Sequence, residues 1–172
     1  MNIAVDKSII SNVKFRLYLD TSIPSAYYDT SKPIRQLITQ KWFENDAEKY
    51  EIYISAITIR EIDQLKTIEK KENIERLLVN YKMKLLEFNE EIKNLAKEYM
   101  KRGAIPKTEP EDAYHIATAT VNSINFLASW NFSHIVSINP IKKIHEINKK
   151  LGYKIIEIGS LELFGGYRYG NL

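Results

Sequence analysis

The stretch "RLYLDTS", Arg16 to Ser22, opens like a strand inside a sheet and stops on an acid. With Phe15 in front, "FRLYL" has the apolar, aromatic composition of a buried strand. Asp-Thr-Ser is good turn chemistry, so Asp20 has one reading as an N-cap or Asx-turn residue that closes the strand. Its other reading comes from the order of elements along the rest of the chain.

Short β-type runs alternate with helical-period segments, and no low-complexity linker or internal repeat interrupts them. "IRQLITQKWF" after Pro33 puts Ile34, Leu37, Ile38 and Trp42 on one helical face. "YEIYISAI" is a second strand leading into "TIREIDQLK", where Thr58 and Glu61 have capping-box spacing. "ENIERLLVNYK" is helical, "MKLLEF" a third strand, and "NEEIKNLAKEYMKRG" a helix from Asn89 to a terminal Gly103. "TEPEDAYHIATATVN" predicts a helix with Thr108 as N-cap and Pro110 in its first turn. "INFLASW" is a buried strand, "NPIKKIHEINKKLG" a helix ending at Gly152, and "YKIIEIGS" a last strand. Crossover helices between strands imply an α/β fold with a mainly parallel sheet, whose ligand sites lie beyond the carboxyl ends of the strands. That rule places Asp20 where such folds carry chemistry.

Composition narrows the class. The chain has 172 residues, 44% hydrophobic and 27% charged, as expected for one globular domain rather than a disordered or fibrous chain. It has no cysteine, which excludes disulfides and thiolate zinc sites and fits a reducing, cytoplasmic location. No apolar run approaches the ~20 residues of a membrane span. A net charge of +3 is a mild basic bias, compatible with a nucleic-acid partner.

Three more positions join Asp20. Glu61 lies just beyond the second strand, although as the N3 member of a capping box it needs no other role. Asp112 falls in the first turn of its helix, where the macrodipole alone favours an acid. It also shares the i, i+3, i+4, i+7 face with His115, Ile116 and Ala119, and the small residues Ala113, Ala117 and Ala119 let that face approach the sheet. Asn131 ends the strand before "SWN" as Asp20 ends the first, either as an oxygen ligand or as a turn residue. Two carboxylates about 4 Å apart repel by roughly 4 kcal/mol at an effective dielectric of 20, so converging acids call for a cation. Oxygen ligands without Cys suit Mg²⁺ or Mn²⁺, and metal-assisted phosphodiester cleavage is the matching reaction.

At these residues the sequence resembles the PIN-domain ribonucleases, especially toxins of VapC type. The pieces that carry the resemblance are "YLDTSIPSAYYD", "ISAITIREI", "EDAYHIATA" and "FLASWNFSHI", in the family's order. The resemblance covers residues 15–164 and implies an α/β/α sandwich with an acidic pocket for Mg²⁺ or Mn²⁺. It leaves residues 1–14 as an N-terminal extension and 165–172 as a tail. Asp20, Glu61 and Asp112 match the family's first three acids, expected as metal ligands and catalytic groups. Asn131 matches the fourth position, where many members have Asp, and so lowers the pocket's charge by one. Ser22 matches the hydroxyl residue after the first acid, while Thr21 is expected to face elsewhere. His115 is expected to orient Asp112 or touch substrate. Arg16, with Lys107, Lys142 and Lys143, is a candidate for substrate phosphates. Tyr27 and Tyr28 either stack unpaired bases or pack inside.

The resemblance implies an endoribonuclease acting on RNA, the toxin of a toxin-antitoxin pair with an antitoxin protein as partner, often a homodimer. The rival reading is a catalytically weak or inactive PIN-like module that binds protein or nucleic acid. Haloacid-dehalogenase phosphatases also place an Asp after a strand, but their second Asp falls at the position of Ser22.

Overall fold

The computed structural model describes residues 14–165. The N-terminal extension, apart from Lys14, and the tail after Gly165 lie outside the described residues.

The chain runs β1 (Phe15–Leu19), α1 (Ser22–Ala26), α2 (Pro33–Asn45), β2 (Tyr50–Ser55), α3 (Ala56–Asp63), α4 (Ile68–Asn80), β3 (Lys84–Leu86), α5 (Glu90–Lys101), α6 (Pro110–Val121), β4 (Phe126–Ala128), α7 (Ile138–Leu151) and β5 (Glu157–Gly159). The five strands form one sheet in the order β3-β2-β1-β4-β5. Every pairing is parallel. From central β1 the chain builds outward first to β2 and β3, then returns to β4 and β5. The strand order therefore reverses between β1 and β4, and the crevice at a parallel sheet's carboxyl edge opens there.

The two-residue period of β1 divides the core. Leu17 and Leu19 point to one face, where they are buried with Ile23 of α1, Trp42 and Phe43 of α2, and Ile74 and Leu77 of α4. Tyr18 points to the other, among Ile92 and Tyr99 of α5, Ile116 of α6 and Ile144 of α7. Helices cover both faces, which makes an α/β/α sandwich and explains why β1 is apolar on both sides.

Four local expectations are corrected. The capping box of α3 is Ser55 with Thr58, not Thr58 with Glu61. The helix starts three residues earlier than the spacing suggested, so Glu61 sits in its second turn with its carboxylate free for other partners. α6 begins at Pro110 behind Glu109 rather than being capped by Thr108, and Glu109 makes no capping bond. α7 starts at Ile138, ahead of Asn139-Pro140, because a proline in the first turn removes an N–H that has no helical partner there. On α2 the buried side is Thr39, Trp42 and Phe43, while Ile34 is 73% exposed and Leu37 37%. The two glycines expected to end helices do so: Gly103 and Gly152 have φ of 69° and 78°, where a Cβ is disfavoured.

Candidate metal centre

β1's ladder to β4 continues one residue past the strand, with the Asp20 N–H donating to the Ala128 carbonyl at 3.2 Å. This fixes the Asp20 backbone before its side chain makes any contact. Oδ1 accepts the Ser22 N–H at 3.1 Å and the Ser22 hydroxyl at 2.5 Å. Oδ2 accepts the Ser129 hydroxyl, also at 2.5 Å. Asp20 is thus both the turn residue that closes β1 and a buried carboxylate, 4% exposed, held from two sides at the β1–β4 switch.

Glu61 reaches the same crevice from α3. Its Oε2 accepts the Thr21 hydroxyl and meets His115 Nε2 at 2.9 Å. Asp112 arrives from the first turn of α6, where its Oδ2 accepts the Asn131 side-chain N–H at 2.9 Å and lies 3.0 Å from His134 Nδ1. Glu61 Oε1 and Asp112 Oδ1 accept no hydrogen bond from the described residues. Each of these acids therefore has one oxygen anchored by protein and one to offer.

Asn131 itself faces the other way from the ligand expected of it. Its Oδ1 accepts the backbone N–H groups of Ser133 and His134 at 3.1 and 3.0 Å, which fixes the amide orientation and leaves only the NH₂ for Asp112. Glu109, Asp112 and His134 each offer a ligand atom within 4.8 Å of one another at the mouth of the crevice. Neither Glu109 nor His134 stood out as a ligand in the sequence.

Burial pushes the Asp20 carboxyl up, and the negative charge of Asp112 adds to this against the opposing effects of His115, Ser129 and Ser22. Burial likewise raises Asp112, against its bonds to His134 and Asn131 and the charge of His115. Glu61 is lowered: burial opposes this, but the hydrogen bond and charge of His115 and the Thr21 bond outweigh it. His115 is raised, its own burial being overcome by Glu61 first and then by Asp20 and Asp112. Three carboxylates that all act on His115, two of them with an oxygen that no described residue occupies, are a donor set that a hard divalent cation fits.

The other expected site residues divide. Ser22 is at the site, but its hydroxyl already donates to Asp20 and accepts the Trp130 N–H at 2.8 Å, so it is a buttress rather than a substrate contact. Thr21, expected to face away, holds Glu61. His115 is 2% exposed with both ring nitrogens occupied, by Tyr18 and Glu61, and so presents nothing to substrate. Arg16 is at the wrong end of the sheet: it precedes Asp20 by four extended residues, about 13 Å, and its guanidinium donates to the Asn122 carbonyl and lies over the Tyr53 ring. Tyr27 and Tyr28 pack partly buried against the α1–α2–α4 core. Nearer cations are Arg60, one residue from Glu61 and paired with Glu111 at 3.3 Å, and Lys143, which donates to the Gly103 carbonyl. Lys143 lines a cavity of about 230 Å³ with Ile105, Pro106, Ser133 and His134, beside Asp112's partner. Ser129 was missed; its signal is that it follows a buried strand as Asp20 does.

Fold and crevice together define the class: a doubly wound α/β/α protein with an acidic pocket at the point where its strand order reverses. The chain belongs to the PIN domain family, whose model matches residues 17–131 and so spans Asp20, Glu61, Asp112 and Asn131. Among solved structures it is similar to VapBC2 from Rickettsia felis, determined bound to a DNA fragment from their promoter. The TM-score is 0.52 at 12% identity, over 85% of this chain and 98% of that one. At that identity the likeness speaks for the fold. No curated protein matches the sequence. Among the described residues no helix is long and apolar enough to cross a membrane.

Proposed function

We propose that this protein is a metal-dependent endoribonuclease and the toxin of a toxin-antitoxin pair. The observation that carries the proposal is the arrangement of Asp20, Glu61 and Asp112, each anchored by neighbouring donors, with Glu61 and Asp112 each keeping an oxygen that no described residue occupies. Membership of the PIN domain family supports it. So does the fold shared with a toxin-antitoxin complex, which extends to this chain the idea of an antitoxin protein as partner.

Asp20 and Asp112 are the residues that would hold Mg²⁺ or Mn²⁺, with Glu61 directly or through water. When bound, the ion supplies charge neutralisation at the scissile phosphate and lowers the pKa of a bound water. Glu61 Oε1 accepts the proton of the attacking water, a task suited to a carboxylate held ionised by His115 and Thr21. Ser22 and Ser129 keep Asp20 from turning, and Asn131 and His134 keep Asp112 from turning. Asn131 acts by positioning, so the pocket has three carboxylates rather than four. The cavity between Ile105, Pro106 and His134 receives an unpaired nucleotide next to the cleaved bond, with Arg60 and Lys143 nearby for flanking phosphates. The catalytic unit runs from Phe15 to Phe164, whose carbonyl accepts the Trp42 indole N–H at 2.9 Å. The exposed Ile34 and Leu37 on α2 are the surface on which a homodimer would form.

Cleavage of single-stranded RNA in Mn²⁺ by wild type, Asp20→Asn and Asp112→Asn tests this reading. Loss of activity in both variants, with folding intact, is expected; undiminished cleavage in both would overturn it.

A further inference from the structure

Tyr18 and His115, among the best-buried side chains near the pocket, stand behind the acids rather than facing the crevice. Tyr18 is fully buried in β1, yet its hydroxyl lies 2.7 Å from Ser55 Oγ and 2.7 Å from His115 Nδ1. His115 continues the line through Nε2 to Glu61 Oε2 at 2.9 Å. Ser55 accepts the Ile57 N–H as the N-cap of α3, the helix that also carries Glu61. The chain Ser55–Tyr18–His115–Glu61 therefore starts at the N-cap of α3, passes through β1 and α6, and returns to α3 six residues further on.

Helix and strand periods explain how the circuit forms. Tyr18 and Asp20, two residues apart, share one side of β1. Asp112 and His115, three apart, share one side of α6. Thus the first strand and the sixth helix each contribute a carboxylate at the rim and, one repeat deeper, a partner that meets the other across the interior. The imidazole is gripped at both nitrogens and has a single orientation. Glu61, by contrast, is partly exposed on a helix edge, and among the described residues its other hydrogen bond is from Thr21.

We infer that His115, locked by Tyr18, is the positioning residue for Glu61: it fixes where the carboxylate stands before metal or water arrives. The inference rests on the metal-centre reading and adds to it a role for two residues that touch neither ion nor substrate. Groups that orient metal-binding side chains from behind are worth 10- to 100-fold in affinity or activity.

Three variants test it. His115→Leu removes the grip. His115→Gln keeps a donor for Glu61 and an acceptor for Tyr18 on one planar terminus, but cannot carry a proton. Tyr18→Phe removes one hydroxyl and leaves the histidine. For each, the readouts are Mn²⁺ affinity by calorimetry, kcat and KM for RNA, and a melting curve to confirm folding. The expected result is a 10- to 100-fold weaker Mn²⁺ affinity or lower kcat for His115→Leu, an intermediate loss for Tyr18→Phe, recovery to within about fivefold in His115→Gln, and an unchanged KM for RNA throughout. If His115→Leu fails to fold, Tyr18→Phe against wild type decides. Folded variants that bind Mn²⁺ and turn over RNA like wild type would overturn the inference alone, as would a His115→Gln protein as impaired as His115→Leu. A wild-type protein that binds no Mn²⁺ would overturn the metal-centre reading beneath it.

Discussion

Asn131 gives Asp112 its amide NH₂ at 2.9 Å and keeps its oxygen for the backbone of Ser133 and His134. A residue at the corner of an acidic pocket thus serves as a hydrogen-bond donor to the pocket. It lowers the electrostatic cost of Asp112, which burial already pushes toward its neutral form. The same side chain shapes the turn that brings His134 Nδ1 within 3.0 Å of Asp112.

Asn131→Asp should invert this relationship. The new carboxylate can still cap Ser133 and His134, so the turn survives, but its second oxygen faces Asp112 with no proton to give. Two unit charges about 4 Å apart repel by roughly 4 kcal/mol at an effective dielectric of 20; with part of the site open to water, a loss of about 2 kcal/mol in metal-free stability is expected. Mn²⁺ should stabilise the variant more than it stabilises wild type. Thermal unfolding of both proteins with and without Mn²⁺ checks the prediction, and equal metal responses would contradict it.

Asp20→Asn should separate stability from function. Burial disfavours the ionised carboxyl, so metal-free wild type carries an electrostatic cost once the pH is above the carboxylate range. The amide keeps an oxygen for Ser22 and offers its NH₂ to the Ser129 oxygen, which is able to accept. The variant should be more stable than metal-free wild type at pH 7, on the order of 1 kcal/mol, and this advantage should vanish in acid where wild-type Asp20 is protonated. Added Mn²⁺ should no longer raise its melting temperature.

The sheet was legible because each strand combines an apolar run with turn residues, and because crossover helices leave a parallel sheet few arrangements. Asp20 and Asp112 were legible for a related reason: strand ends and helix first turns are fixed points that local spacing reveals. The partners of these acids were not. Ser129 and Asp20 are 109 residues apart, as are Arg16 and Asn125, and nothing in the local sequence pairs them. Thr21, expected to face elsewhere, meets Glu61 because the chain has already turned out of the strand at that residue. Arg16 failed by distance along the strand rather than by chemistry. The α3 cap is ambiguous in the sequence because Ser55 and Thr58 both offer hydroxyls, and only Thr58 has Glu at capping-box spacing.

Ser129→Ala should show how much one of those unseen contacts matters. The hydroxyl, fully buried, donates to Asp20 Oδ2 and accepts the Asn131 N–H at 2.9 Å. Its removal leaves a buried carboxylate oxygen and a backbone donor short of partners, a cost of about 1–3 kcal/mol. Ser133→Ala, at an exposed position of the same loop, should stay within about 0.5 kcal/mol of wild type. Denaturant unfolding of the two variants distinguishes them, and equal stabilities would show that Ser129 contributes nothing.

Alkaline pH should unfold the protein through two buried tyrosines. Burial pushes the Tyr18 and Tyr99 hydroxyls well above the usual phenol range, against their hydrogen bonds to Ser55, and to Thr120 and Asn148, respectively. An unfolded tyrosine ionises near pH 10. Above that pH the native state holds more protons than the unfolded one, so stability falls as pH rises, by about 1.4 kcal/mol per pH unit for each tyrosine, until the folded groups also ionise. Tyr99→Phe tests the sign as well as the size. Near neutrality it should be less stable than wild type by about 1–2 kcal/mol, because Asn148 Oδ1 loses the hydroxyl that reaches it at 2.6 Å. Above pH 10 its stability should decline less steeply, so the two curves converge. Denaturant midpoints across that range check the prediction, and parallel curves would show that Tyr99 ionises in the native protein as it does in the unfolded chain.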